Sequence, residues 1–245
     1  MTNYRLTIAY KGTRYKGWQS QINTPDTIHR KISDVLSKMD GRAVDLNGSG
    51  RTDAGVHAKG QVASVRMEHD FSPEEILSYC AKYLPRDIAV ISAEKAGPRF
   101  HARLNAVEKC YRYRIWTSMT PNVFEEPFLS AVTEKLNLEA MKTAASYLTG
   151  EHDFRSFCGH AKADKSTVRT IYSIQFETSP NEIDIVYRGN GFLNHMVRIL
   201  TGTLVEVGKG ERKPEDMIRI LKAEDRSAAG FLMPAEGLCL EWVKY

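Results

Sequence analysis

The chain opens on an alternating run, YRLTIAY (4–10), with apolar residues at every second position, the period of a half-buried strand. A polar, glycine-punctuated loop, KGTRYKGWQSQ, follows. Thr24-Pro25-Asp26 then reads as a helix cap with proline at the first helical position. Ile28, Ile32, Val35, Leu36 and Met39 mark one helical face, which Gly41 closes. Val44 to Leu46 predicts a short strand and QVASVRM (61–67) the next. Ser72-Pro73-Glu74-Glu75 has the form of a capping box opening a helix that runs through Lys82. Ile88 to Ala93 is another strand. Residues 1–95 therefore read as an α+β layer with helices on one sheet face.

The second half repeats the mixture without repeating the sequence. KCYRYRIWT (109–117) is a strand, and a long loop with Pro121 and Pro127 follows. Asn137 caps a helix carrying Leu138, Met141, Ala145 and Leu148, closed by Gly150. TIYSIQFET and EIDIVYRG are strands flanking a Ser-Pro-Asn turn. Phe192 to Val207 reads as a strongly apolar helix, Lys213-Pro214 opens a short helix with Met217, Ile218 and Leu221, and Leu238 to Val243 is a final strand. The fold class predicted is α+β, in two mixed halves with antiparallel sheets. The polar segment KAGPRFHARLNA is the candidate link, giving an N-terminal domain 1–104 and a C-terminal domain 105–245.

Composition narrows the classes of function. Of 245 residues, 42% are hydrophobic and 26% charged, an ordinary globular balance. No apolar run approaches the ~18 residues needed to span a bilayer, and the N-terminal run lacks the apolar stretch of a signal peptide. The expectation is a cytoplasmic protein with no membrane association. The four cysteines, Cys80, Cys110, Cys158 and Cys239, form no CxxC pair, which argues against a disulfide framework or a zinc knuckle. His152, Cys158 and His160 are the nearest approach to a metal cluster, without matching ligand spacing, and no metal is expected. Net charge is +4, unevenly placed: residues 1–104 carry 16 Lys+Arg against 11 Asp+Glu, whereas 105–245 carry 18 against 19. That asymmetry permits a nucleic-acid partner and equally a plain basic surface.

The densest chemistry lies in NGSGRTDAGVHAKGQVASV (47–65), where glycines surround Arg51, Asp53 and His57 between apolar runs. A dinucleotide or P-loop cradle fits poorly: the third glycine is late, a strand rather than a helix follows, and no Gly-Lys-Ser/Thr ends the loop. A plain surface turn fits the glycines and Asp53. The remaining reading is that the glycines hold Asp53 forward and admit a second backbone, leaving an ionised carboxylate free to act as a nucleophile. Local residues alone leave the turn reading in front.

Several ordered motifs change that balance. GRTDAGVHA with its flanking GQVA, YKGTRYKGWQ near the N-terminus, FHARLNAVEKCYRYRI, HDFRSF (152–157) and GFLNHMVRILTGTLVEVGKG (191–210) together resemble the tRNA pseudouridine synthase A family nearly end to end. The resemblance implies a pseudouridine synthase fold, with ferredoxin-like halves flanking a central RNA-binding cleft. It implies an isomerase that converts uridine to pseudouridine at positions 38, 39 and 40 in the anticodon stem-loop of tRNA, acting as a homodimer without metal or small-molecule cofactor. A non-catalytic tRNA-binding or chaperone protein on the same fold is the competing reading.

The resemblance also assigns roles. Asp53 matches the catalytic aspartate, and Arg198, otherwise a costly charge among Met196, Val197, Ile199 and Leu200, is implied to be its partner. Tyr111 matches a tyrosine that stacks on the target uracil. Arg51 matches an arginine that fills the space left when the uridine leaves its stack. Lys11, Arg14, Lys16, Arg99 and Arg103 are candidate contacts to the RNA backbone, and His57, His101 and His195 serve structure or RNA contact. The chain departs from the family pattern at AAGFLMPAEGL (228–238), where a Gly-Pro-Thr-Ala-Pro-like segment is usual, and at DTIHRK, where Val-Gln-Glu is common.

Overall fold

The alternating runs and caps resolve, among the residues described by the computed structural model (1–161 and 164–245), into ten strands and five α-helices. In chain order these are β1 (Thr2–Tyr10), α1 (Ile28–Asp40), β2 (Asp45–Gly48), β3 (His57–Met67), α2 (Pro73–Tyr83), β4 (Ile88–Ala96), β5 (Glu108–Trp116), β6 (Ser130–Ala131), α3 (Leu138–Ser146), β7 (Gly150–Asp153), β8 (Val168–Ser179), β9 (Glu182–Gly189), α4 (Met196–Gly208), α5 (Asp216–Ala223) and β10 (Leu238–Lys244). They group into two compact units, Met1–Val107 with Cys239–Tyr245, and Glu108–Leu238. The last strand thus returns to the first unit, which a single cut along the chain at 104/105 does not express.

In the first unit β1 lies between β3 and β4, antiparallel to both, and β2 pairs antiparallel with β3. β10 joins β3 in parallel, Cys239 opposite His57 and Leu240 opposite Ala58. Tyr4, Leu6 and Ile8 point to one face and are fully buried, as the period-two pattern requires. α1 and α2 pack together, α1 on β2 and α2 on β4. Fully burying each such Leu or Ile contributes roughly 1.5–3 kcal/mol.

β3 is buried along nearly its whole length rather than on alternate residues, with only Lys59 and Arg66 exposed. The segment read as a linker explains this, because it covers the sheet. Asn3 Nδ2 donates to the Gly97 and Phe100 carbonyls at 2.9 Å, Ala102 N donates to Ser64 Oγ at 3.2 Å, and Tyr245 Oη donates to the Ala102 carbonyl at 2.7 Å.

α1 starts later than predicted. Thr27, not Thr24, is the cap, its side chain accepting from Arg30 N. The cause is non-local: Lys16 N bonds the Asp26 carbonyl, while Ile28 N and His29 N bond the Gly17 and Trp18 carbonyls. Those bonds occupy the Pro25-Asp26 stretch before a helix can form. The capping box on α2 is present as predicted, with Glu75 N donating to Ser72 Oγ and Ser72 N to Glu75 Oε2.

In the second unit β9 lies between β5 and β8, antiparallel to both, β7 pairs with β8, and the two-residue β6 runs parallel to β5. Each unit is therefore mixed α+β, and each includes one parallel pairing that the antiparallel expectation lacked. α3 packs on α4 and β8, and α4 packs on β5. α4 begins at Met196, four residues after the predicted Phe192, because His195 takes a left-handed conformation (φ 61°). On α5 the buried residues are Met217 and Ile220, while Ile218, expected inside, is exposed. Gly150, expected to close α3, instead opens β7. No helix among the described residues is long and apolar enough to cross a membrane.

Candidate active site

The Asp53 loop joins β2 to β3 in the first unit. Its residues alternate in exposure: Ser49 and Thr52 are buried, Arg51 is exposed, and Gly50 and Asp53 are half-buried. The loop is gripped from outside itself. Trp18 N donates to the Thr52 carbonyl at 3.0 Å and Gly55 N to the Tyr15 carbonyl at 3.2 Å. Thr52 Oγ1 and Tyr10 Oη share a hydrogen bond of 2.8 Å, and Gln61 Nε2 donates to the Gly50 carbonyl at 3.1 Å. The close approach foreseen for the glycines of this stretch is made at Gly60, where a Cβ would lie 2.5 Å from the Glu241 carbonyl oxygen, and is matched on the facing side by Gly12 and by Gly17. At Gly17 φ is +94°, and a Cβ there would lie 2.8 Å from the Thr52 carbonyl oxygen and 3.1 Å from the Asp53 carbonyl carbon.

His57, the first residue of β3, is buried and accepts from Gly12 N at Nδ1 over 3.0 Å. A ring nitrogen that accepts an amide N–H is unprotonated, so its neutral ring ties the start of β3 to the segment after β1. His101 acts similarly at the surface, accepting from Arg103 N at 3.1 Å. Of the candidate RNA-backbone contacts, Arg14 brings Nε and Nη2 to one oxygen of Asp87, Oδ2 (2.9 and 2.7 Å), while Lys16, Arg99 and Arg103 are exposed. Among the described residues no group of three or more His, Cys, Asp or Glu is arranged to hold a metal ion.

The second unit holds Tyr111 and Arg198. Tyr111 lies on β5 opposite Tyr187 of β9, is 8% exposed, and meets the Phe192 ring edge-on at 5.2 Å between centroids. The late start of α4 is what frees Phe192 for this contact. Arg198 sits on the first turn of α4, and its Nε donates to the Met233 carbonyl at 2.7 Å. Met233 N donates back to the Arg198 carbonyl at 3.3 Å. The arginine therefore does not simply reach out to solvent from an apolar helix. Tyr113, on the same face of β5 as Tyr111, is core: its hydroxyl meets Ser130 Oγ and donates to the Pro234 carbonyl, each at 2.7 Å. Burial drives its pKa well above the usual phenol value, opposed by the Ser130 hydrogen bond and, less strongly, by the charge of Arg198.

Sequence reasoning therefore places Arg51 and Asp53 on one loop, and Tyr111 and Arg198 on elements that pack together within the second unit. It missed the side chains that hold them: Tyr10, Ser49, Thr52 and Gln61 in the first unit, Phe192 and the Met233 backbone in the second. A usable signal was present for Thr52 and Gln61, hydrogen-bonding residues set among glycines and buried apolar positions.

Comparison with known proteins bears on the whole chain. The family described as tRNA pseudouridine synthase matches residues 6–105 and 144–245. The chain is 45% identical to "tRNA pseudouridine synthase A" of Bacillus sp. (strain KSM-64) and 44% identical to "tRNA pseudouridine synthase A 1" of Clostridium tetani (strain Massachusetts / E88), in both cases over 245 residues and 100% of each chain. It is 41% identical, with the same complete coverage, to "tRNA pseudouridine synthase A 2" of Bacillus anthracis. A solved structure titled "Crystal Structure of a Cbf5-Nop10-Gar1 Complex" aligns over 97% of this chain and 48% of that chain, with a TM-score of 0.39 and 13% identity. On the family match and the full-length relatives, the chain belongs to the tRNA pseudouridine synthase A family of isomerases.

Proposed function

We propose that this isomerase converts uridine to pseudouridine at positions 38, 39 and 40 of the tRNA anticodon stem-loop, with Asp53 as the catalytic nucleophile. The observation that supports it best is the Asp53 loop. Thr52 is buried between an exposed Arg51 and a half-buried Asp53, on a loop held from outside by four hydrogen bonds. A plain surface turn has no need of that grip.

The reaction is an isomerisation and needs no external oxidant or reductant. The C1′–N1 bond of the target uridine breaks, the uracil turns, C5 bonds to C1′, the C5 proton leaves to solvent and N1 takes up a proton in its place. In this reading the Asp53 carboxylate attacks C1′ or stabilises the cationic sugar. Arg198 pairs with that carboxylate and orients it. Tyr111, held edge-on by Phe192, stacks on the uracil. Arg51 fills the stack the uridine has left, since a base inside a helix presents neither C1′ nor C5 to a side chain. In this reading the working form is a cytoplasmic homodimer.

The test uses unmodified tRNA transcripts carrying uridine at positions 38–40, with matched transcripts lacking uridine there. Mapping the modified bases should place pseudouridine at 38–40 alone. Pseudouridine formed elsewhere, or none at those positions, would overturn the assigned target.

A further inference from the structure

We infer that Gln61 and Tyr10 are positioning residues for the isomerisation, fixing the backbone on either side of Arg51 so that Asp53 is presented in one orientation. The inference rests on the proposed role of Asp53.

Gln61 is fully buried on β3, where β1 places Ile8 opposite it. An amide there costs free energy unless it is hydrogen-bonded, and this one is bonded on both sides. Its Oε1 accepts from Ser49 Oγ at 2.6 Å and from Val62 N at 3.1 Å. Its Nε2 donates to the Gly50 carbonyl at 3.1 Å and lies 3.5 Å from Tyr10 Oη. Val62 N can only donate and the Gly50 carbonyl can only accept, so the amide has one allowed orientation. Tyr10 Oη, also buried, carries the network to Thr52 Oγ1 at 2.8 Å. The chain is thus held at Ser49, Gly50 and Thr52, with Arg51 inside that grip and Asp53 next beyond it.

The strand pairing supports the same conclusion independently. β1 pairs Ile8 with Gln61 but Tyr10 with Ala58, so β3 carries one extra residue between these positions. Such a bulge re-aims the side chains around it, and bulges concentrate beside active sites. Here the extra residue separates the Gln61 amide from the point where the loop enters β3.

Tyr10→Phe and Thr52→Val each delete a hydroxyl at nearly constant volume, and Thr52→Ser keeps it. Turnover is read as tritium release from C5-tritiated uridine in tRNA, with KM for tRNA and Tm measured on the same samples. Tyr10→Phe and Thr52→Val should each lower kcat by about tenfold or more, the scale of a small misplacement of a reacting group. KM should stay within about threefold, because contacts to the RNA backbone set affinity. Thr52→Ser should turn over at the parental rate, and the double variant Tyr10→Phe, Thr52→Val should be no slower than its slower parent, since the two share one hydrogen bond. Gln61→Leu should show the same split between kcat and KM; if it does not fold, the hydroxyl variants carry the test alone.

Parental kcat in both hydroxyl variants, losses that multiply in the double variant, or equal losses in Thr52→Ser and Thr52→Val would overturn the inference. Asp53→Asn separates the two levels of the argument. If it turns over at the parental rate, the nucleophile reading fails and this inference with it. If it is inactive while Tyr10→Phe and Thr52→Val are parental, the positioning inference fails alone.

Discussion

Two irregular segments lie beside the candidate site residues, and they are held by different means. The loop at 49–56 is held by backbone bonds at Ser49, Thr52 and Gly55 and also by two of its own side chains, Ser49 Oγ on Gln61 and Thr52 Oγ1 on Tyr10. The segment at 228–238 is fixed through its backbone. Gly230 N donates to Thr203 Oγ1, Phe231 N to Glu206 Oε1 and Met233 N to the Arg198 carbonyl, while Arg212 donates to the Ala228 carbonyl. The bonds of 228–238 end on its main-chain atoms, whereas two of the loop's bonds end on its own Ser49 and Thr52 hydroxyls.

The largest expected effect breaks the backbone clamp where it has no room. Gly202 lies in the buried middle of α4, and a Cβ there would collide with the Phe231 carbonyl oxygen. Backbone meets backbone, so neither side can yield by rotating a side chain. Gly202→Ala should cost about 3 kcal/mol or more, read as a fall in the urea midpoint. A midpoint at the parental value would mean that the 228–238 segment is not seated on α4 as described.

A smaller effect sharpens the side-chain half of the comparison, because a clamp built on a titratable group depends on pH. Asp40 ends α1, is almost fully buried, and accepts from Glu68 N at 2.9 Å and His69 N at 3.0 Å just beyond β3. Burial alone would raise its pKa; the two amides and the His69 ring outweigh that and hold it below the ordinary value. A carboxyl titrating lower when folded contributes its full stability above the unfolded value, about 4, and loses it as pH falls through the folded one. Asp40→Ala should cost about 2 kcal/mol near neutrality, since it removes a charged acceptor from two part-buried amides, and should flatten the acid limb of the stability curve. An acid limb unchanged from the parent would remove Asp40 from the account.

The smallest effect should come from the side chains of the backbone-held segment. Phe231 and Leu232 are 44% and 37% exposed. Phe231→Ala and Leu232→Ala should each change stability by no more than about 0.5 kcal/mol, measured by the same urea titration. A loss as large as that of Asp40→Ala would show that this segment, too, is held by its side chains.

The same distinction governs what the sequence could disclose. Elements set by local chemistry were legible: the Ser72 capping box, the Asn137 cap, the Ser179-Pro180-Asn181 turn between β8 and β9, and the alternation of β1. Elements set by distant partners were not. Thr24-Pro25-Asp26 carries a credible helix start, yet backbone bonds from residues 16–18 delay α1 to Thr27 as its cap. KAGPRFHARLNA has the composition of a linker but covers the first unit's sheet, because its carbonyls meet Asn3 and Tyr245, distant in sequence. At the candidate site, the residues that carry charge stood out, whereas Gln61 and Tyr10 looked like strand positions. The polar setting of Gln61 was visible in the sequence, but its convergence with Tyr10 on the loop is visible only in the hydrogen bonds.

The central claim is that Asp53 performs the chemistry and the surrounding residues present it. The most direct measurement is single-turnover tritium release from C5-tritiated uridine in tRNA by Asp53→Asn, with tRNA binding measured on the same samples. The account predicts no detectable release with binding preserved, because the amide keeps the shape of the side chain but not its nucleophilic charge. Release at the parental rate would contradict it.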